Sequence, residues 1–286
     1  MHSRPRLPSA AVLALLTLPL AVPVFAEKAP AGDTTITWHG HAAFSITTPS
    51  EKVLFIDPWL KNPMSPDKDP ITHIAKADYI LITHGHFDHV GDAVELAKKT
   101  GARLVAPFEL GINMVRLLGF PGKQLGFDTL GNPGGNLKLA DGEVTVTFTA
   151  AVHSSGLDTP DGESKGTPVA YGGNPVGYVI SIKNGPTIYH TGDTAYFSDM
   201  ELIGQHHAPD VALLNIGGHF GMEPEAAARA ARAVHAKLVV PHHFKTFPVL
   251  TADAKEFFGL LDKQGIAHRE LAPGGSLIYE GARLKK

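Results

Sequence analysis

The chain has 286 residues, 43% of them hydrophobic, and a net charge of −3 with histidine neutral. That length supports one large domain with a substantial core, and the lack of a basic stripe excludes nucleic acid as a partner. There are no cysteines, which excludes disulfides and thiolate metal ligands, whereas sixteen histidines are many for this length.

Residues 1–26 have the grammar of an export signal, with Arg4 and Arg6 at the start, an apolar stretch from Ala10 to Leu20, and Val24-Phe25-Ala26 at the end. Pro19 interrupts the apolar run, which is too short for a comfortable membrane span. The expectation is a mature chain starting at Glu27, exported to a bacterial periplasm and without a stable membrane span after cleavage. Residues 27–286 then read as a single domain.

Thr34 to Trp38 and Ala43 to Thr47 read as strands around His39-Gly40-His41, and Lys52 to Asp57 as a third that Pro58 stops. Pro63, Pro66 and Pro70 mark residues 61–70 as a loop. Tyr79 to Ile82 is a short apolar strand, followed by Thr83-His84-Gly85-His86-Phe87-Asp88-His89 and a helix over 92–100. A strand at 103–106 and a helix near 108–118 follow, then a glycine- and proline-rich loop at 119–136. Glu143 to Thr149 alternates with period two and leads to His153, after which 154–175 reads as a long loop on the substrate side.

The second half repeats this grammar. Strands are expected at 176–183, 187–190, 211–216 and 237–240, with helices at 223–235 and 251–264 and two short final strands near 268–271 and 276–279. Two groups of strands, each ending in helix–strand alternation, suggest two facing sheets with helices outside.

The candidate metal ligands, in chain order, are His84, His86, Asp88, His89, His153, Asp193 and either His242 or His243. Each follows a predicted strand, where open α/β sheets place their chemistry. Nitrogen and oxygen donors at this density suit zinc. Seven ligands can hold two ions if one carboxylate bridges, and Asp193, alone in a Gly-Asp-Thr turn, is the candidate bridge. Asp57 has the right place to orient a ligand histidine, and His41 to act from behind the ligands. His190 reads as a packed core residue, and Asp88 and His219 are the candidates to relay a proton.

His84-Gly85-His86-Phe87-Asp88-His89 resembles the His-x-His-x-Asp-His signature of the metallo-β-lactamase superfamily. Gly40-His41-Ala42-Ala43-Phe44, Ile56-Asp57-Pro58-Trp59, Tyr189-His190-Thr191-Gly192-Asp193-Thr194 and Pro241-His242-His243-Phe244 resemble a subfamily of metal-dependent hydrolases. That subfamily is similar to the ascorbate-6-phosphate lactonases and the N-acylphosphatidylethanolamine-type phospholipases D. The resemblance implies an αββα sandwich (α/β class) with a binuclear site at one edge. It places His84, His86 and His153 on the first ion, Asp88, His89 and His243 on the second, and Asp193 between them; it is the resemblance that selects His243 over His242.

These features imply a metal-dependent hydrolase that uses a di-zinc-bound hydroxide on a small ester, lactone or phosphodiester, with Mn2+ or Fe2+ as the other candidate ions. A β-lactamase is the alternative, and a di-iron redox protein is a more distant one because only Asp88 and Asp193 supply carboxylates. Gly-x-Ser-x-Gly occurs only as Gly162-Glu163-Ser164-Lys165-Gly166, within the expected loop 154–175 and not on a strand-to-helix elbow, and no phosphate-binding loop is present.

Overall fold

A computed structural model describes residues 32–159 and 169–285. The export signal expected over 1–26, and residues 160–168 of the long loop, lie outside the described residues. The first half runs through β1 (Asp33–Trp38), β2 (Phe44–Thr47), β3 (Val53–Ile56), α1 (Pro70–His73), β4 (Tyr79–Leu81), α2 (Phe87–Val90), α3 (Ala93–Thr100), β5 (Arg103–Pro107), α4 (Phe108–Leu118) and β6 (Leu130–Gly131). Then come β7 (Asn136–Leu139), β8 (Val144–Ala150), β9 (Gly156–Asp158), β10 (Val169–Tyr171), β11 (Val176–Ile182) and β12 (Thr187–His190). The chain ends with α5 (Met200–His207), β13 (Val211–Asn215), α6 (Pro224–Ala233), β14 (Leu238–His242), α7 (Lys255–Gln264), β15 (Ser276–Glu280) and β16 (Arg283–Leu284).

The strands form two large mixed sheets. One has eight strands in the order β16-β15-β1-β2-β3-β4-β5-β6, and the other has six in the order β14-β13-β12-β11-β8-β7. Alternation decides which side chains meet between them. Ile36 and Trp38 of β1 face Val144, Val146 and Phe148 of β8 and Tyr178 and Ile180 of β11 in one continuous core. Outside the first sheet, Ile80, Ile82 and Leu104 pack against Leu96 and Ala97 of α3 and Leu110 and Met114 of α4. Outside the second, the alanine face of α6 and Phe257 and Leu261 of α7 complete the αββα sandwich that the strand pattern predicts.

Several details differ from expectation, among them the unexpected β6, β7 and α5. The stretch 154–175 is not all loop, because β9 and β10 pair as a small antiparallel sheet. The strand expected near 268–271 is reduced to one bridge between Val239 and His268. The halves are also not contiguous in sequence, since β15 returns to pair with β1, from Asp33 opposite Glu280 to Thr37 opposite Ser276.

Parallel pairing of β3 with β4, β4 with β5, β12 with β13 and β13 with β14 is what gathers the site. Parallel neighbours end at the same edge, so the turns after β3, β4, β12 and β14 project together. Two cross-sheet bonds lock that edge: Val176 N–H donates to Thr83 O at 3.0 Å, and Tyr178 Oη–H to Ile82 O at 2.6 Å.

Candidate metal centre

Asp57, just past β3, is fully buried and adopts a left-handed backbone conformation (φ 44°) that aspartate tolerates. Its carboxylate accepts from Thr83 N–H at 2.8 Å, from the Thr83 hydroxyl at 2.6 Å and from His89 Nδ1–H at 2.8 Å. With its own proton committed to Asp57, Thr83 Oγ1 accepts from His84 Nδ1–H at 3.0 Å. One carboxylate therefore fixes the tautomers of two motif histidines and leaves both Nε2 lone pairs facing the site.

His84, His86 and His153 form one group, with ligand atoms within 4.8 Å of one another. His86 Nε2 is 3.3 Å from Ser154 Oγ, and its Nδ1 is 3.0 Å from His84 Nε2. When His86 donates to Ser154, two lone pairs face each other there, which a cation between them converts from repulsion to ligation. Donors around a tetrahedral zinc lie about 3.4 Å apart. The turn that carries Gly85 is held by its N–H donating to Ser155 Oγ at 3.0 Å, and Ser155 in turn donates to Gly172 O at 2.7 Å.

Asp88, His89 and His243 form a second group, which His41 joins. Asp193 lies against both groups: its Oδ2 is 2.9 Å from His243 Nε2, 3.3 Å from His89 Nε2 and 3.7 Å from His153 Nε2. Gly192 makes this approach feasible. Its φ is 58°, and a Cβ there would meet Val176 O at 2.7 Å. Across the cluster, His89 Nε2, His153 Nε2, His243 Nε2 and Asp193 Oδ1 are buried without a hydrogen-bond partner among the described residues. Buried polar atoms are almost always paired, so four orphans converging on one place suit metal ions. The donor set, all imidazole and carboxylate, fits a borderline divalent cation.

Electrostatics sort these groups by neighbour. Burial pushes His84 well below the ordinary imidazole range, and it lowers His86 and His153 as well. His89 and His243 are buried too, but the surrounding carboxylates outweigh that, raising His89 well above its usual value and His243 to about 9. Burial opposes ionisation of Asp193 and Asp88, yet the facing histidines hold both carboxyls well below the usual range. The carboxylates are therefore ionised at neutral pH, as ligation requires.

The remaining predicted residues separate clearly. His41 reaches the centre from the β1–β2 turn: its Nε2–H donates to Asp88 Oδ2 at 3.0 Å, and its Nδ1 accepts from the Thr246 hydroxyl at 2.7 Å. His190 is a packed core residue, its Nε2–H donating to Ala42 O at 3.1 Å and its ring edge-on to Phe44. His242 stacks on His190 inside β14, whereas His243 lies in the cluster. His219 is not brought to the ligands. Gly218 and His219 turn the chain through positive φ (64° and 39°), leaving the imidazole exposed beside a separate cleft with Glu223 and Glu256. Its neighbour Phe220 lines the cavity above the cluster instead.

A domain model described as the β-lactamase superfamily domain matches residues 51–244, most of the chain and every candidate ligand. The chain belongs to the metallo-β-lactamase superfamily. Among superfamily members, a UPF0173 metal-dependent hydrolase of Anaeromyxobacter dehalogenans is 50% identical over 248 residues, covering 86% of this chain and 87% of its own. Another, from Thermodesulfovibrio yellowstonii, is 48% identical over 246 residues, covering 86% and 90%. The solved structure of Igni18, a metallo hydrolase of the archaeon Ignicoccus hospitalis, superposes with a TM-score of 0.74 at 35% identity, over 87% of this chain and 99% of that one. At these levels this superfamily member falls among the UPF0173 metal-dependent hydrolases.

Proposed function

We propose that the cluster holds two zinc ions and hydrolyses a small ester, lactone or phosphodiester. His84, His86 and His153 would hold one ion, Asp88, His89 and His243 the other, with Asp193 between them. The observation that carries this reading is the convergence of three buried, unpartnered histidine nitrogens on Asp193, whose own Oδ1 is unpartnered as well. Two such ions supply a water that ionises near neutral pH and positive charge for the electrophile.

The chain's own residues do the rest. Asp57 and Thr83 hold His89 and His84 in the tautomers that present Nε2. His41 holds Asp88 Oδ2, and Asp88, which lines the cavity, has its other carboxylate oxygen left as an acceptor for a proton released there. The cavity of about 580 Å³ above the ligands is of the size that takes a small organic substrate.

Export to the periplasm belongs to the same proposal and rests on the signal-like residues 1–26. Among the described residues no helix is long and apolar enough to cross a membrane. Mass spectrometry of the mature N-terminus checks it: Glu27 supports export, and a retained Met1 or His2 overturns it.

Elemental analysis of the purified protein, followed by a substrate panel with and without chelator, tests the hydrolase reading. Two ions per chain and chelator-sensitive turnover are expected. Full turnover in a metal-stripped sample overturns the reading, and rapid nitrocefin cleavage would move the enzyme to the β-lactamases.

A further inference from the structure

The cavity over the cluster is divided sharply between floor and wall. Its charged groups all belong to the ligand cluster, and above them stand Phe87, Phe220, Phe247, Pro248 and Val249. No lysine or arginine lines it among the described residues. Phe87, Phe220 and Val249 are each more than half exposed, at 52%, 55% and 56%. Phe247 stacks on Trp59 with ring centroids 5.7 Å apart, and Trp59 meets Phe87 edge-on at 5.8 Å. One wall is thus a packed aromatic trio; Val249 comes from the same loop as Phe247, and Phe220 from the loop between β13 and α6. Exposed aromatics that converge on a reactive floor mark a place for an apolar ligand.

A phosphate ester needs different surroundings. The ions proposed at the floor would meet part of its charge, but among the described residues the walls hold no arginine fork or lysine for its remaining oxygens, and phenyl rings cannot replace their hydration. From this contrast, and resting on the hydrolase reading above, we infer that the substrate is an uncharged carboxylic ester or lactone bearing an apolar acyl group. It enters with that group against Phe87, Phe220, Phe247 and Val249 and its carbonyl towards Asp88 and Asp193. Hydrolysis then adds water across the acyl C–O bond. The water oxygen bonds to the carbonyl carbon as the ester C–O bond breaks; one water proton ends on the leaving alkoxide, and the other is released as the product ionises to a carboxylate.

The test compares 4-nitrophenyl acetate, butyrate and octanoate with 4-nitrophenyl phosphate and bis(4-nitrophenyl) phosphate on the metal-loaded protein. Efficiency should rise with acyl length, by up to roughly fourfold per methylene while the chain lies on the wall, and exceed that for both phosphates. In Val249→Asp and Phe220→Ser, which replace exposed side chains, the octanoate-to-acetate ratio should fall at least about tenfold.

Binding is read separately from turnover through Trp59 fluorescence, Trp38 being buried in the core. Saturable quenching by 4-nitroanisole, uncharged and uncleavable, is expected, with none from 4-nitrophenyl phosphate at equal concentration and with loss in Phe247→Ser. Chelator-sensitive cleavage that favours the phosphates overturns the substrate inference and leaves the hydrolase reading intact. Turnover that ignores chelator overturns the hydrolase reading, and the inference with it. If no probe is cleaved, quenching decides: its absence, or its dependence on protein concentration as two copies cover each other's aromatics, overturns the apolar-ligand inference.

Discussion

His89 Nδ1 donates to Asp57 Oδ2 at 2.8 Å across 32 positions of sequence, both side chains fully buried. Asp57 is outside the ligand groups, yet it sets the direction of one ligand directly and of His84 through Thr83. Replacing Asp57 with Asn should lower metal affinity by about 10–100-fold, because the single amide oxygen accepts at most two of these three bonds and the NH2 opposes a donor in place of the rest. Competition against a chelator of known affinity measures the loss, and an unchanged affinity would remove Asp57 from the site's design.

Removing metal should both stop turnover and loosen the fold. An ion present at about a hundred times its dissociation constant stabilises the native state by about 2.7 kcal/mol, worth roughly 5–10 °C in a domain of this size. Thermal unfolding before and after chelation, then after zinc is returned, should show that drop and its recovery.

Asp193 stands closest to His243 and His89, with His153 just beyond. Asp193→Asn keeps the shape and removes the charge. The metal content should fall below two ions per chain and turnover should drop at least about a hundredfold. Normal metal content by elemental analysis would contradict a bridging place for this carboxylate.

The metal-stripped protein should be most stable near pH 6.5. Burial holds His190 and His242 below the ordinary imidazole range and brings His41 down to about 4. These three stay neutral in the fold, while the unfolded chain takes up protons below about 6.5, so stability falls as pH drops from there towards 4. His89 and His243 act in the opposite sense. Carboxylates outweigh burial and raise them, His243 to about 9, so their contribution is complete below about 6.5 and lost as pH rises through 9. Reloading with metal should remove the alkaline limb, because bound imidazoles no longer carry the proton. A melting-temperature profile from pH 4 to 10, with and without zinc, checks both limbs.

Much of this was legible because the chemistry sits where strands end. The apolar run at 79–82 is short and bounded, so its histidines had to emerge at a sheet edge, and Asp57 was readable for the same reason. What escaped depended on contacts between distant segments. His41 was legible as a residue behind the ligands, but its partner, Asp88, 47 residues on, was not. β9 and β10 are three residues each, too short for alternation to register. The sequence offered His219 as a proton relay without fixing its direction, and the positive φ values at Gly218 and His219 turn it away from the ligands. The aromatic wall was hidden too, since Phe87, Phe220 and Phe247 have no common spacing.

Gly217 Cα packs so closely that a Cβ would lie 2.1 Å from His243 O, and the ligands themselves come from turns of both sheets. Joining position 84 to position 243 closes a very long loop, and the entropy lost by fixing such distant ends grows with the logarithm of the intervening length. In a chain without a single cysteine, bound ions would be its strongest cross-links. Ion release and the parting of the sheets are then one event, so a denaturant titration followed by a zinc dye and by tryptophan emission should trace the same curve.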